Sequence, residues 1–214
     1  MADSMKDSVT GISFPLKQQF WHGGMMTCIG VGARVKKVAM MTAKVEAVWF
    51  VYAASMYIEE GPATFAVLQH SQPDSDAAAA EALTGGAFTK VLQMHLVRSI
   101  TGKQFTDALD ENLRPVLGGN AAVMDEFCSF FGDKKLEQGT EISLMWKQEG
   151  PVDVALRVEG DKSPYSGFQP GVTIQSPCLG PALWGLYLSP NKPPAPDARK
   201  MWLAGLRRLG RGGS

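Results

Sequence analysis

The residues that could do chemistry are few and scattered. Cys28, Cys128 and Cys178 are the three thiols of this 214-residue chain, with no CxxC pair and no nearby histidine that would complete a zinc site. They read as buried free thiols of a reducing compartment. His95 stands in an alternating stretch and reads as a partly exposed or hydrogen-bonded strand histidine. Arg34 ends the small, glycine-rich segment CIGVGAR and opens an extended run. Its guanidinium suits either a sheet-edge carboxylate, such as Glu46 or Glu59, or an anionic ligand. Tyr52, inside that run, is by default a core tyrosine with its hydroxyl tied to backbone. Asn112 puts an amide on the same helical stripe as Phe105 and Ala108. Ser176 precedes Pro177 and is placed to cap the helix that follows.

The element that must position Asn112 is the best specified in the chain. In RSITGKQFTDALDENLRPVL, Thr101 and Gln104 have the spacing of a capping box, which predicts a helix beginning near Gly102. Leu109, Leu113 and Val116 are expected beside the stripe, facing a core. Pro115 predicts an end or kink near Leu117 and Gly118.

Around that helix, residues 38–58 read as one long, mostly buried strand or two collinear ones. Val45, Ala47, Trp49, Val51, Ala53 and Ser55 fall on one face, with Glu46, Val48, Phe50, Tyr52, Ala54 and Met56 on the other. Glycines 30 and 32 let backbone approach backbone. Residues 62–85 are a helical excursion with Ser75 as a cap, and residues 88–99 return to β alternation. Asn120 is expected to cap a second helix carrying Phe127, Phe130 and Phe131. Residues 141–148 and 152–159 form a hairpin about Glu149-Gly150-Pro151. Residues 172–188 begin extended and turn helical at or after Pro177, and a last basic helix ends in a frayed tail. Hairpin-linked strands with segregated helices predict an α+β fold, an antiparallel sheet with helices on one face. The expected division is a flexible N-terminus over residues 1–12, a single domain over 13–209 and a flexible tail over 210–214.

Composition narrows the partners. Lys plus Arg and Asp plus Glu each total 21, which gives no electrostatic case for nucleic acid or an anionic membrane surface. A small or apolar partner is expected instead. The apolar runs are too short for a transmembrane helix, and MADSMKDS has no apolar signal core. The expected location is intracellular, cytoplasmic or, where a presequence has been removed, in an organelle such as a plastid.

With these segments in hand, the chain resembles the chalcone isomerase superfamily. The likeness rests on CIGVGAR, VYAASMYIEE, ITGKQFTDALDENL, the paired LEQGTEISLMWKQ and VDVALRVEG, and IQSPCLGPALWGLYLSP, in that order from about residue 14 to 192. It implies an open-faced β-sandwich, a large antiparallel sheet under a helical layer with a ligand cleft between. The superfamily holds true isomerases, which close a chalcone into a flavanone, and non-catalytic relatives that bind fatty acids or assist flavonoid synthesis.

The resemblance also assigns residues. Arg34 matches the arginine that holds the substrate oxyanion in the isomerases, and Asn112 matches their helical asparagine. Phe105 falls where they have a tyrosine, Ala108 where they have a lysine, and Tyr52 on their strand threonine, across an apparent insertion after Arg34. Ser176 lies in the segment where they have a substrate-contacting Ser or Thr. Phe105 cannot donate to a ketone and Ala108 brings no charge, so the apparatus for stabilising an enolate is depleted. An Arg34/Tyr52 pair in a cleft made more apolar suits a carboxylate with an aliphatic tail. The implied function is therefore non-catalytic binding of a fatty acid or similar apolar carboxylate, with Arg34, Tyr52, Phe105, Ala108, Asn112 and Ser176 as ligand contacts. The alternative is a chalcone–flavanone isomerase working through Arg34, Asn112 and ordered water, on a flavonoid-like substrate. Neither reading calls for a metal or a cofactor. Some relatives of the fold bind haem, a reading ranked last: no His falls in the matching segments, and their Cys28 and Cys178 read as buried free thiols.

Overall fold

In a computed structural model, residues 3–21, 23–40 and 45–212 are described, with side chains described throughout except at residues 36–50. Short strands β1 (Ser4–Lys6), β2 (Ser13–Pro15) and β3 (Lys17–Gln19) precede the long strands β4 (Met25–Met40) and β5 (Val45–Ile58). Two helices follow, α1 (Glu60–Leu68) and α2 (Asp76–Thr84), then β6 (Lys90–Leu96) and β7 (Ile100–Thr101). Helices α3 (Gly102–Leu117) and α4 (Val123–Phe131) lead into β8 (Lys135–Leu136), β9 (Glu141–Trp146), β10 (Val152–Arg157) and β11 (Val172–Ile174). The described chain closes with α5 (Leu179–Leu188) and α6 (Pro196–Gly212). The main sheet has seven strands in the order β11-β10-β9-β6-β5-β4-β3, every neighbouring pair antiparallel. This is the expected α+β architecture.

The stretch expected as one long strand or two collinear ones over residues 38–58 is instead the end of β4 and all of β5, antiparallel arms paired from Thr27↔Ile58 to Met40↔Val45. Strong β character on both sides of residue 41 hid the reversal. The face assignments for residues 45–50 lie outside the described side chains. Beyond them the alternation holds: Tyr52, Ala54, Met56 and Ile58 face the helices, while Ala53 and Tyr57 face a second core built on Phe14, Phe20, Trp21 and Tyr165. So the sheet is covered on one side by helices and on the other by the N-terminal segment and the loop after β10.

The helical layer is fixed by its ends. Thr101 Oγ1 accepts from the Gln104 N–H at 3.1 Å and the Thr101 N–H donates to Gln104 Oε1 at 2.9 Å, completing the capping box. Along α3 the buried side chains step by four, Phe105, Leu109, Leu113 and Leu117. Val116, expected in the core, is 72% exposed, because Pro115 is accommodated within the last turn and Leu117 takes the inward position. Ser75 caps α2, its side chain accepting from Ala78 N. Asn120 does not cap α4: that helix starts at Val123 without a side-chain cap, and Asn120 ends a short 3-10 turn. Strand β1 lies in the stretch expected as a flexible N-terminus, and α6 continues into the expected tail as far as Gly212.

The glycines of CIGVGAR set the distance between sheet and α6. A Cβ on Gly30 would stand 2.7 Å from the Met201 carbonyl carbon, and one on Gly32 would stand 2.5 Å from Ala198 N. Helix α6 thus lies backbone against backbone on β4, and Trp202 Nε1 donates to Gly30 O at 3.1 Å. Of the thiols, Cys28 is buried, where desolvation raises its pKa to about 11, whereas Cys128 and Cys178 are only half-buried.

Lys90 is fully buried on the helix-facing side of β6, an unusual place for an ammonium. Its Nζ donates to the carbonyls of Leu83 and Gly85 at the end of α2 and stands 4.3 Å from the Phe88 and 4.2 Å from the Trp146 ring centroid. Burial nevertheless pulls its pKa from 10.5 down to about 7. Because the folded pKa lies below the unfolded one, the unfolded chain holds the extra proton between these values, and stability rises with pH from about 7 towards 10. Urea midpoints measured across that window should climb for the wild type and stay flat for Lys90→Met.

Candidate functional site

The site is built where β4 and β5 leave the rest of the sheet. Arg34 pairs directly with Tyr52, and a register shift follows at once between Arg34 and Val35. Such a bulge re-aims the side chains beside it. The long β4–β5 pairing holds Arg34 beside Tyr52. Strand β6 ends its pairing with β5 at Tyr52↔Leu96, which opens a gap between the sheet and α3.

That gap is a cavity of about 370 Å³. Arg34, Val51 and Tyr52 line it from the sheet, Arg98 and Ile100 from the approach to α3, and Gln104, Phe105, Asp107, Ala108 and Glu111 from the helix. Four of the residues expected at the site, Arg34, Tyr52, Phe105 and Ala108, therefore meet around one space. The other two stand away from it. Asn112 is exposed and its amide donates to Ala108 O at 2.9 Å, one turn back. Ser176 is buried at the start of α5, its Oγ accepting from Cys178 N and Leu179 N, each at 3.3 Å.

Behind Arg34 runs a line of polar contacts that sequence reasoning did not find. The guanidinium carbon lies 5.7 Å from the centroid of the Tyr52 ring. Tyr52 Oη lies 2.6 Å from Tyr187 Oη, and the Tyr187 hydroxyl donates to Met94 Sδ at 3.6 Å. Both phenols are fully buried. Burial lowers the Arg34 pKa, but the attraction of Tyr52 and Tyr187 and a hydrogen bond to Tyr52 outweigh it, and the net shift is upward. Arg34 stays charged at neutral pH. Burial raises the pKa of both tyrosines against the opposing pull of Arg34, so both stay protonated.

Of the two carboxylates first considered as partners of Arg34, only Glu59 lies among the described side chains. Glu59 accepts from Thr89 N at 3.0 Å, and Glu46 lies outside the described side chains. Arg98 was also missed. The signal was present: with Lys90 it is one of two cations on the otherwise apolar side of the alternating stretch 88–99. Tyr187 had a weaker signal, a lone phenol in the apolar run ALWGLYL.

A larger space, about 530 Å³, lies on the other face of the sheet beside His95 and Glu141. His95 Nε2 is 3.3 Å from Glu141 Oε1, which also takes Arg157, and its ring meets Phe14 edge-on at 4.8 Å. Burial raises the Glu141 pKa, but hydrogen bonds and charge from His95 and Arg157 more than offset it and leave it lowered. This carboxylate is already satisfied by protein partners. Among the described residues no group of His, Cys, Asp and Glu could hold a metal ion.

No family model matches the chain, and no curated protein matches it by sequence. In structure it is similar to the crystal structure of a fatty-acid binding protein of Arabidopsis thaliana, with a TM-score of 0.75 at 18% sequence identity, over 97% of this chain and 99% of that one. Among the described residues no helix is long and apolar enough to cross a membrane. The antiparallel sheet, its one-sided helical layer and this likeness together give the chain the open-faced fold of chalcone isomerase-like proteins.

Proposed function

We propose that this chain binds a fatty acid or similar apolar carboxylate, without turning it over, in the cavity between β5 and α3. The observation that carries the reading is Arg34, charged and half-buried, at the wall of a cavity whose helical side offers Phe105 and Ala108. A guanidinium forks onto a carboxylate through two charge-assisted bonds, and the tail continues along Val51, Ile100 and Phe105. Each buried methylene contributes about 0.8 kcal/mol, which after ordering costs places binding near the micromolar range. The fatty-acid binding protein with the same fold supports the reading. Phe105 and Ala108 supply neither donor nor charge to a developing enolate, which favours binding over isomerisation.

The cavity, about 370 Å³, is at the small end of the usual range for ligand sites, so medium-chain acids are expected to outcompete long-chain ones. Calorimetric titration with a fatty acid and with its methyl ester tests the polar end. The acid should bind at least about tenfold more tightly, the worth of a charged hydrogen bond. Equal affinities would sink the clamp.

A further inference from the structure

The β4–β5 pair runs past the rest of the sheet. Strand β6 pairs with β5 only from Tyr52 to Ile58, and β3 pairs with β4 only from Met25 to Thr27. Residues 35–40 and 45–50 therefore pair with one another, from Val35↔Phe50 to Met40↔Val45, and with no third strand among the described residues. Nine of these twelve positions are apolar, and the other three are Lys36, Lys37 and Glu46. A two-stranded ribbon is marginal in water by itself, and apolar residues at this density call for a surface to lie on. We propose that this ribbon docks the protein on an anionic lipid surface, with the cavity at its root held close to the headgroups.

Charge selects lipid over a second copy of the chain. The ribbon carries two lysines against one glutamate, and the sequence that joins its strands adds Lys44. The balanced totals of the whole chain concealed this local excess. Lysines on an unpaired strand edge oppose association with a like-charged copy, whereas the negative surface of an anionic bilayer attracts them. Lys36 stands opposite Trp49 and Lys37 opposite Val48, so two lysines and a tryptophan share one level of the ribbon. These are residue types that settle at a membrane–water interface. Beyond that level come Val38↔Ala47, Ala39↔Glu46 and Met40↔Val45, and Glu46 seats the far end among headgroups rather than in hydrocarbon. Inward from the same level, two residues along β4 or about 7 Å, Arg34 and its strand partner Tyr52 stand at the cavity wall. Docking stands on the ribbon alone, while uptake of a membrane-borne acid from that position rests on the carboxylate reading.

The test is flotation of the full chain with vesicles of phosphatidylcholine alone and of phosphatidylcholine mixed with phosphatidylserine. The wild type should bind the mixed vesicles in preference to the neutral ones, and raising salt from about 0.1 M to about 1 M should weaken that binding. Lys36→Gln combined with Lys37→Gln should weaken it by about thirtyfold, at about fivefold per lysine. A second readout follows Trp49, because the other four tryptophans, Trp21, Trp146, Trp184 and Trp202, are already buried. Emission of the wild type should shift to the blue on the mixed vesicles, and that of Trp49→Phe should not. No preference for the anionic vesicles, equal binding by the lysine variant, or a blue shift retained in Trp49→Phe would overturn the inference. So would a wild type that is dimeric in solution and ignores lipid, which would assign the ribbon to a second copy. Decanoate titration without lipid reads the cavity separately: the lysine variant should match the wild type there, so failure to dock and failure of the carboxylate reading are told apart.

Discussion

Arg34→Ala is expected to weaken binding of a fatty acid by about 1.5–3 kcal/mol, or roughly tenfold to 150-fold, and to leave its methyl ester unaffected. The magnitude follows from what is removed. Arg34 lines the cavity from the sheet beside Val51, with Phe105 on the helical side, and its removal takes away the two parallel donors that fork onto a carboxylate. Arg98 also lines the cavity, from the approach to α3, and limits the loss without replacing the fork. Arg34→Lys should recover only part of the affinity, because an ammonium offers a point charge where two parallel donors are needed. An Arg34→Ala protein that binds acid as tightly as the wild type would place the polar end elsewhere.

The largest stability effect is expected at Gly205→Ala. A Cβ there would stand 1.7 Å from Ile29 O, a backbone atom of β4, which is paired on both sides and cannot step aside. Helix α6 would have to lift from β4, breaking the close approach at Gly30 and Gly32 and the bond from Trp202 to Gly30 O. Overpacking against a mobile side chain costs about 1–3 kcal/mol, and against fixed backbone the expected cost is at or above about 3 kcal/mol. For a chain of this size that lowers the melting temperature by roughly 6–12 °C. A melting temperature within about 2 °C of the wild type would mean that α6 does not seat on β4 in this way. The effect should reach the site as well, since α6 backs α5 and, through it, Tyr187.

What the sequence revealed follows the range of the interactions. The capping box of α3 was legible because its two bonds join residues three positions apart. The glycines of CIGVGAR announced a close backbone approach, but the helix that makes it lies at the other end of the chain. The pairing of Arg34 with Tyr52 joins two strands whose reversal the continuous β pattern of residues 38–58 did not show. Tyr187 was hidden by distance, since its partner Tyr52 is 135 positions away. Asn112 shared a stripe with Phe105 on paper, but the buried face of α3 steps by four from Phe105 to Leu109 and Leu113, which leaves Asn112 on the exposed side. Ser176 had two readings, and its oxygen accepts from the Cys178 and Leu179 N–H groups at the start of α5, although Cys178 holds the N-cap position.

The most direct measurement is native mass spectrometry of the purified protein, followed by organic extraction of any bound molecule. A fatty acid or like apolar carboxylate is expected bound one to one with the wild type and lost from Arg34→Ala. A neutral molecule retained equally by both proteins would contradict it.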